Sequence, residues 1–240
     1  MKTSILGVSI DVVTRKEALA RLLGFLDGER NRTLFTPNPE FVLEAQKDWD
    51  FKDILNGGDL VIPDGIGIVL ASKLNEVKIK ERVAGCDLIL SLFDAVRKDK
   101  RRVYLLGGKP GVAEQAKTNM EARYPGLKIV GTHDGYFDAK EERAIIKEIR
   151  ELQPDILLVG IGFPRQEKWI FKYKNKVPAK LTAGIGGSID IMAGTVKRAP
   201  VVMRKIGLEW LWRLLLQPSR ITRIYKLPLF IIKAIQSKNA

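Results

Sequence analysis

The chain has 240 residues, of which 45% are hydrophobic and 29% charged, a composition typical of a folded domain with an ample core. It holds one cysteine and one histidine, so an intrachain disulfide is excluded and a His/Cys metal site is not expected. No window reaches the roughly 18 uncharged apolar residues of a membrane span, and the first residues are too short an apolar run for a signal peptide. The net charge of +13 indicates an anionic partner, such as nucleic acid, lipid headgroups or substrate phosphates.

Strands and helices alternate through the first half of the chain. Residues 4–10 predict a first strand, and Thr14-Arg-Lys-Glu17 has the form of a capping box that starts a helix to about Asp27. A second strand at 33–38 ends in polar residues, and a helix follows from Pro39. The later elements of this half are a short helix at 49–58, a strand at 59–64, a helix after Gly65, a polar stretch at 73–85, a helix at 87–98 and a strand at 102–106.

The second half continues the alternation, with a helix at 112–123, a strand at 127–131 and a helix at 141–153. An unbroken apolar run then starts at Asp155 and favours a strand that is buried on both faces. It ends in Gly160 and Gly162, and Pro164 opens a further helix. A last strand at 181–190 also ends in glycines. This order predicts a mostly parallel sheet in a three-layer α/β sandwich.

Polar side chains follow three of the predicted strands: Thr36 and Asn38, then Asp64, and then Gln166. Because the carboxyl ends of parallel strands meet at one edge of a sheet, we expect these side chains to lie close together. Two interpretations of Asp64 remain open from its spacing. It is either a general base aimed at a bound hydroxyl or a cap for the helix after Gly65.

Two glycine pairs, Gly107-Gly108 and Gly186-Gly187, follow strands and are candidate phosphate cradles. Neither fits the phosphate-binding loop G-x-x-x-x-G-K-[ST], and the segment 107–111 lacks the G-x-G-x-x-G spacing of dinucleotide enzymes. A bound diphosphate would therefore need helix N-termini and basic side chains. The candidate cations are Arg82, Arg213, Arg220 and Arg223. Tyr136 and Phe137 suit stacking on a base or sugar, or a place in the core.

The end of the chain is basic, with ten Lys or Arg residues from Lys197 onward against one acid, Glu209. Residues 209–216 predict a helix, Gln217-Pro218 breaks it, and Ser219 caps a second helix that Pro228 should kink or interrupt. Basic and aliphatic residues alternate there, which fits a helix lying on a membrane surface or ordinary core helices with a solvated basic rim. We divide the chain into a domain at 1–196 and a C-terminal appendage at 197–240.

Several short motifs occur in one order, and together they are specific. They are Thr36-Pro-Asn38, Ile62-Pro-Asp-Gly65, Arg82-Val-Ala-Gly85, Leu106-Gly-Gly108, Gly135-Tyr-Phe137, Gly160-Ile-Gly-Phe-Pro-Arg-Gln-Glu-Lys168, and Gly184-Ile-Gly-Gly187 through Arg198-Ala-Pro200. From the first strand to about Pro218 the chain resembles the WecG/TagA/CpsF glycosyltransferases, and most closely the TagA-like members of wall teichoic acid synthesis. The resemblance implies a Rossmann-like domain of unusual topology, no metal and no cofactor.

The resemblance also implies an activity and its partners. TagA-like enzymes transfer N-acetylmannosamine (ManNAc) from its UDP-sugar to the 4-hydroxyl of N-acetylglucosamine (GlcNAc) on undecaprenyl diphosphate, with inversion and a β linkage. The expected location is the cytoplasm, peripheral on the inner face of the cell membrane through the C-terminal tail. Relatives use other donors such as UDP-N-acetylmannosaminuronate, so the donor stays open, as does homo-oligomer formation.

Carried over to this sequence, the resemblance assigns a role to each candidate residue. Asp64 would deprotonate the acceptor hydroxyl, Thr36 and Asn38 would position the sugars, and Gln166 would bind the donor sugar. Arg82 would steady the diphosphate leaving group. The tail arginines Arg213, Arg220 and Arg223 would meet lipid diphosphate or membrane. The uridine diphosphate pocket would comprise Gly107, Gly108, Tyr136, Gly186, Gly187 and Asp190.

Two other classes of function are compatible with parts of the sequence. The fold class allows a nucleotide-binding oxidoreductase, but the chain lacks the G-x-G-x-x-G spacing and an acidic ribose partner at the expected distance. The basic tail allows a nucleic-acid-binding protein. The aliphatic residues between the arginines suit lipid better, so no nucleic-acid partner is expected.

Overall fold

The computed structural model describes residues 1–216 and 226–237. A six-stranded parallel sheet forms its centre, in the order β4-β3-β8-β7-β5-β6. Its strands are β3 (Arg32–Phe35), β4 (Leu60–Val61), β5 (Arg102–Gly107), β6 (Lys128–His133), β7 (Ile156–Gly160) and β8 (Leu181–Gly184). Helices cover both faces of the sheet, so the predicted three-layer α/β class is confirmed.

The first predicted strand, at residues 4–10, is wrong. This segment is a hairpin of β1 (Lys2–Ile5) and β2 (Val8–Asp11), which pair antiparallel in a separate two-stranded sheet. The turn residues Leu6 and Gly7 have φ of 48° and 75°, the left-handed backbone that two-residue hairpin turns require. The buried carboxylate of Asp11 accepts a 2.9 Å hydrogen bond from the Val61 N–H, which ties the hairpin to the edge strand β4.

The helices divide between the two faces of the sheet. One face carries α1 (Arg15–Leu26), α5 (Gly85–Val96), α6 (Val112–Arg123) and α9 (Ser188–Met192). The other carries α2 (Pro39–Glu44), α3 (Trp49–Asn56), α4 (Ile66–Ser72), α7 (Ala139–Leu152) and α8 (Arg165–Tyr173). Successive residues of β5 alternate between the faces, Val103 and Leu105 toward the first and Tyr104 and Leu106 toward the second. The strands are therefore buried on both sides, as their apolar runs predict.

The chain reverses its direction across the sheet between β5 and β7. From β5 it continues through α6 to β6 at one edge, whereas from β7 it continues through α8 to β8 toward the other edge. The loops after these neighbouring strands therefore leave in opposite directions, and a crevice opens between them at the pair Gly107 and Gly160. In open α/β sheets such a topological switch point is the usual place for a ligand.

In the part of the chain that the structure describes, three helices follow the sheet: α10 (Val201–Lys205), α11 (Glu209–Leu216) and α12 (Lys226–Gln236). α12 packs against α2 and α4 and buries Phe230 completely. Pro228 lies in the first described turn of α12, which the structure describes from Lys226. The predicted break at Gln217-Pro218 and the Ser219 cap lie outside the described residues. Within the described ranges, no helix has the length and apolar character needed to cross a membrane.

Candidate functional site

A cavity of about 370 Å³ lies at the carboxyl edge of the sheet. The loops after β3, β4, β7 and β8 line it, and α11 and α12 form one of its walls. The cavity brings together these residues that the sequence singles out: Thr36, Asn38, Asp64, Arg82, Gln166, Gly186 and Gly187. The expectation that polar strand ends converge is therefore confirmed, although the roles of these residues remain predictions.

Asp64 follows the short strand β4 and points its carboxylate at the start of α5. Its Oδ2 accepts a 3.4 Å hydrogen bond from the Gly85 N–H, and a Cβ at Gly85 would lie 3.0 Å from the Thr36 side chain. The N-cap position of α4 is Gly65, which has no side chain to cap that helix, and the hydrogen bond of Asp64 to Gly85 is made with α5. The positive end of the α5 dipole instead favours negative charge on this carboxylate.

Asn38 has a structural role in addition to its place in the cavity. Its Oδ1 accepts hydrogen bonds from Glu40 N–H at 2.8 Å and from Phe41 N–H at 3.4 Å, which caps α2. Pro39 occupies the first helical position, where its missing N–H costs nothing. The Asn38 oxygen is thus committed to the helix, and its Nδ2 is the group that can donate to a ligand.

Gln166 lies on the floor of the cavity and is 1% exposed. Its Oε1 accepts a 2.9 Å hydrogen bond from the Gly186 N–H, and its Nε2 donates a 2.6 Å hydrogen bond to Glu167 Oε1. A Cβ at Gly184 would collide with Nε2, so glycine at the end of β8 admits this amide. Thr36 lies beside it and donates to the Gly184 carbonyl at 3.4 Å.

Arg82 is paired with Glu209, the acid of α11. The two side chains are 15% and 14% exposed, and Arg82 Nη2 lies 3.3 Å from Glu209 Oε2. In the sequence, Glu209 is notable only as the single acid of a basic tail. No local sequence pattern predicts this contact, because the two residues are 127 positions apart.

A second pair joins the C-terminal helices to the cavity wall, between Lys226 of α12 and Glu40 of α2 at 3.2 Å. Nearby, Asp87 in the first turn of α5 receives Arg198 at 2.8 Å and Arg204 at 3.4 Å. These contacts place the basic segment against the rim of the sheet. Of the tail arginines, Arg213 lies on α11 with its side chain outside the description, and Arg220 and Arg223 lie outside the described residues altogether.

The predicted nucleotide residues do not all line one cavity. Gly186 and Gly187 line the Asp64 cavity, whereas Gly107, Gly108, Tyr136 and Asp190 do not. The two groups are nevertheless neighbours. A Cβ on Gly107 would collide with Gly160, and one on Gly160 would lie 2.8 Å from the Gly186 carbonyl. A ridge of close-packed backbone at the topological switch point separates them.

The predicted nucleotide residues outside the Asp64 cavity have different surroundings. Gly108 donates to the Gly160 carbonyl at 3.2 Å and accepts from the Gly135 N–H at 2.8 Å, which fixes the loop after β6. Tyr136 is 66% exposed, so the core interpretation is wrong for its ring. Phe137 is half-buried beneath the Arg165 guanidinium, 4.4 Å from its ring centroid, and does pack on the core. Asp190 is half-buried, and its carbonyl accepts from Val196 N–H and Thr195 Oγ1.

Sequence analysis missed Glu167, a buried acid that adjoins the cavity. Its side chain is 1% exposed, and burial raises the pKa of its carboxyl to about 7 against the smaller opposing effect of the Gln166 hydrogen bond. An acid in the first turn of a helix ordinarily faces solvent, so its position gave no signal.

Carboxylates elsewhere in the described residues do not cluster as a metal site would require. No group of three or more His, Cys, Asp or Glu side chains within them is arranged to hold an ion. Asp48-Trp49-Asp50 is an Asp-x-Asp sequence, the spacing of a carboxylate pair that can hold a metal ion. It lies at the start of α3. Asp48 caps that helix and pairs with Lys168 at 2.6 Å, and neither acid lines the cavity.

The fold and the site together define an enzyme of the doubly wound α/β class, with a polar cavity at the carboxyl edge of a parallel sheet. Residues 3–240 match the model of the Glycosyl transferase WecG/TagA/CpsF family, so the chain belongs to that family.

Two curated relatives share the printed name N-acetylglucosaminyldiphosphoundecaprenol N-acetyl-beta-D-mannosaminyltransferase. The protein of Bacillus subtilis (strain 168) is 35% identical over 215 residues, which cover 90% of this chain and 83% of the relative. The protein of Staphylococcus aureus (strain MRSA252) is 33% identical over 240 residues, covering 99% and 94%.

Proposed function

We propose that this chain transfers N-acetylmannosamine from UDP-ManNAc to the 4-hydroxyl of GlcNAc carried on undecaprenyl diphosphate. Membership of the family and the names of the relatives support the reaction class. The observation that carries the proposal is the meeting of Asp64, Gln166 and Arg82 in one cavity. A carboxylate, an amide and a guanidinium are the groups that a base-assisted transfer to a sugar hydroxyl requires.

In the proposed step, Asp64 takes the proton of the acceptor hydroxyl as its oxygen attacks the anomeric carbon of ManNAc. The bond from that carbon to the UDP oxygen breaks on the opposite face, so the configuration inverts and a β linkage forms. UDP departs with the bonding electron pair. Asp64 suits this role because its carboxylate is held by the Gly85 N–H at the N-terminus of α5, which favours the ionised form before the step.

We infer that UDP-ManNAc lies across the Gly160–Gly186 ridge. The sugar would then occupy the Asp64 cavity, and the nucleotide would extend along Gly107 and Gly108 toward the exposed ring of Tyr136. Tyr136 offers a face for the uracil base. The N-terminus of α6 follows Gly111 and offers N–H groups to the diphosphate. Asp190 belongs to the same proposed nucleotide pocket.

The charge that develops on departing UDP needs a counter-charge, and Arg82, which lines the cavity together with Lys226, is our candidate. Arg82 is paired with Glu209 in this structure, so binding of a diphosphate would exchange one anionic partner for another. We infer that Thr36 and the Asn38 amide position the sugars from the opposite wall. No metal is required in this scheme.

We further infer that the protein works on the inner face of the cell membrane, docked through its C-terminal helices. These helices expose apolar side chains between basic ones, which suits a surface of anionic lipid. Among the described residues, the exposed apolar side chains of this segment are Val201, Val202, Ile206, Trp210, Leu215, Leu216, Leu229, Ile232 and Ile235. The Asp64 cavity is walled by α11 and α12, so docking there would bring it to a lipid-borne acceptor.

A mass-spectrometric transfer assay tests the reaction. The protein is incubated with a short-chain polyprenyl-diphosphate-linked GlcNAc and, in separate reactions, UDP-ManNAc, UDP-N-acetylmannosaminuronate and UDP-GlcNAc, all with EDTA. We expect product of one added N-acetylhexosamine with UDP-ManNAc and none from the Asp64→Asn control. If only UDP-N-acetylmannosaminuronate gave product, it would replace UDP-ManNAc as the proposed donor. Loss of activity in EDTA would overturn the metal-free scheme.

A further inference from the structure

Glu167, the buried acid next to the cavity, has no role in the proposed transfer step, yet its burial costs free energy. It is 1% exposed, and of its two oxygens only Oε1 has a hydrogen-bond donor. Among the described residues, none donates to Oε2. Burying a carboxyl with an unpartnered oxygen is unfavourable, and an apolar side chain of similar size would fill the space at less cost.

Among the described residues, the side-chain hydrogen bond of Glu167 is made with Gln166. An amide has two near-equivalent orientations, and the hydrogen bonds around it select one. Here the Gly186 N–H can donate only to an oxygen and the Glu167 carboxyl oxygen accepts from a nitrogen, so both contacts require the same orientation. Loss of the Glu167 contact would leave the orientation to the single bond from Gly186.

The end of β8 is shaped to admit both side chains. A Cβ at Gly184 would collide with Gln166 Nε2 and lie 3.2 Å from Glu167 Oε1. Glycine at this position therefore lets the hydrogen-bonded pair lie flat against the backbone. Oε1 of Gln166 is already satisfied by Gly186, so the group left for a ligand is the second hydrogen on Nε2.

We propose that Glu167 is a positioning residue: it fixes the Gln166 amide so that an N–H of Nε2 faces the cavity and donates to an oxygen of the bound sugar. The consequence for substrate choice rests on the proposed transferase function. The orientation of the amide does not, since it is a property of the free protein.

The first test is independent of activity. The side-chain N–H₂ signals of Gln166 are identified in a ¹⁵N-labelled protein by their loss in Gln166→Leu, and then followed in Glu167→Leu and Glu167→Gln. We expect the pair to shift and exchange faster with solvent in Glu167→Leu, and to stay near its wild-type position in Glu167→Gln, whose side-chain oxygen can still accept. An unchanged pair in Glu167→Leu would overturn the proposal, whatever substrate the enzyme uses.

The second test is a double-mutant cycle on kcat and KM for the UDP-sugar. We expect Glu167→Leu to lose ~10-fold or more in kcat/KM, since misplacing a substrate-positioning group has effects of this size, and Glu167→Gln to recover most of the loss. The double variant Gln166→Ala/Glu167→Leu should be no worse than Gln166→Ala alone, because Glu167 acts through Gln166. Losses that multiply in the double variant would overturn the proposal.

Ile170→Val is the matched control, a substitution of a fully buried side chain on the same helix. It mildly destabilises the helix packing and removes no hydrogen-bonding group. We expect its kcat/KM to equal that of the wild type at a temperature where all variants are folded. A loss in Ile170→Val equal to that in Glu167→Leu would assign the effect to packing and overturn the positioning role.

Discussion

At the residue scale, the proposed chemistry depends on a carboxylate held at the start of a helix. Asp64 Oδ2 accepts a 3.4 Å hydrogen bond from the Gly85 N–H, and the absence of a side chain at Gly85 leaves room for both Thr36 and this carboxylate. A cavity-lining acid fixed by main-chain contacts keeps one geometry while substrates exchange. The proposed role of Asp64 as the base rests on this placement.

Asp64→Asn should lower kcat by ~100-fold or more, because general base catalysis contributes on this scale and the amide cannot take a proton. The affinity for UDP, measured by calorimetry, should stay close to that of the wild type, because UDP is proposed to bind beyond the Gly160–Gly186 ridge. Turnover is measured in the transfer assay. Near-normal turnover of Asp64→Asn would remove Asp64 from the base role.

Glu167 also predicts how stability depends on pH. Burial raises the pKa of its carboxyl from 4.5 to about 7, so between these values the folded protein binds a proton that the unfolded chain has released. The contribution of Glu167 to the free energy of unfolding is therefore fully present below pH 4.5 and is lost as the pH rises through about 7. The Glu167→Gln variant is nearly isosteric but has no titrating carboxyl, so it does not lose this contribution. Its free energy of unfolding relative to that of the wild type should therefore increase from pH 5 to pH 8.

The increase should be roughly 3 kcal/mol in the free energy of unfolding, since each pKa unit corresponds to about 1.4 kcal/mol. Urea denaturation of both proteins at pH 5 and pH 8 measures it. A constant difference between the two proteins across this range would show that Glu167 titrates normally in the folded state.

At the element scale, the short helix α2 depends on a side-chain cap that also lines the cavity. α2 has six residues, and the Asn38 oxygen satisfies two of its free N–H groups. The same residue thus links helix stability to the shape of the cavity. The two roles can be separated because they use different atoms of one amide.

Asn38→Asp keeps an oxygen that can cap α2 but removes the Nδ2 donor, whereas Asn38→Ala removes both. We expect Asn38→Ala to lose about 1 kcal/mol in the free energy of unfolding, the usual worth of an N-cap, and Asn38→Asp to lose much less. Both should raise KM in the transfer assay. Equal stability of Asn38→Ala and wild type in urea denaturation would contradict the capping role, and a normal KM in Asn38→Asp would contradict the donor role.

At the scale of the whole molecule, the C-terminal helices connect the Asp64 cavity to an exposed apolar surface. α12 buries Phe230 and Ala234 against the sheet domain while Ile232 and Ile235 face outward, at 52% and 46% exposure. The sequence offered a membrane-surface helix and a core helix as alternatives. The structure shows that one face of α12 packs on the body, and the proposed membrane contact falls to the other face.

The double variant Val202→Glu/Ile232→Glu should weaken binding to phosphatidylglycerol vesicles by ~10-fold or more, since each buried aliphatic side chain contributes about 1.5–3 kcal/mol. Binding is measured by co-sedimentation, and it should also weaken as salt is raised. Phe171→Glu is the control, an exposed apolar residue on α8. Undiminished vesicle binding of the double variant would count against membrane docking through these helices. The division at residues 196 and 197 stays a prediction.

The sequence by itself determined the class of the fold and the set of candidate site residues. Local signals were sufficient for this: the Thr14–Glu17 capping box is present as predicted, and apolar runs gave strands buried on both faces. The order of motifs carried the family, which the family model and the relatives confirm. It misjudged residues 4–10, because period-two alternation does not distinguish one strand from a tight hairpin.

Only the tertiary structure decided which candidates share a cavity and which partners they have. Strand order depends on long-range pairing, and no local pattern fixes β8 between β3 and β7, the arrangement that brings Gln166 to Asp64. The contacts of Arg82 with Glu209 and of Gln166 with Glu167 likewise arise from packing and burial. Residue type and spacing specify local conformation, whereas a binding site is made by residues that are distant in sequence and close in space.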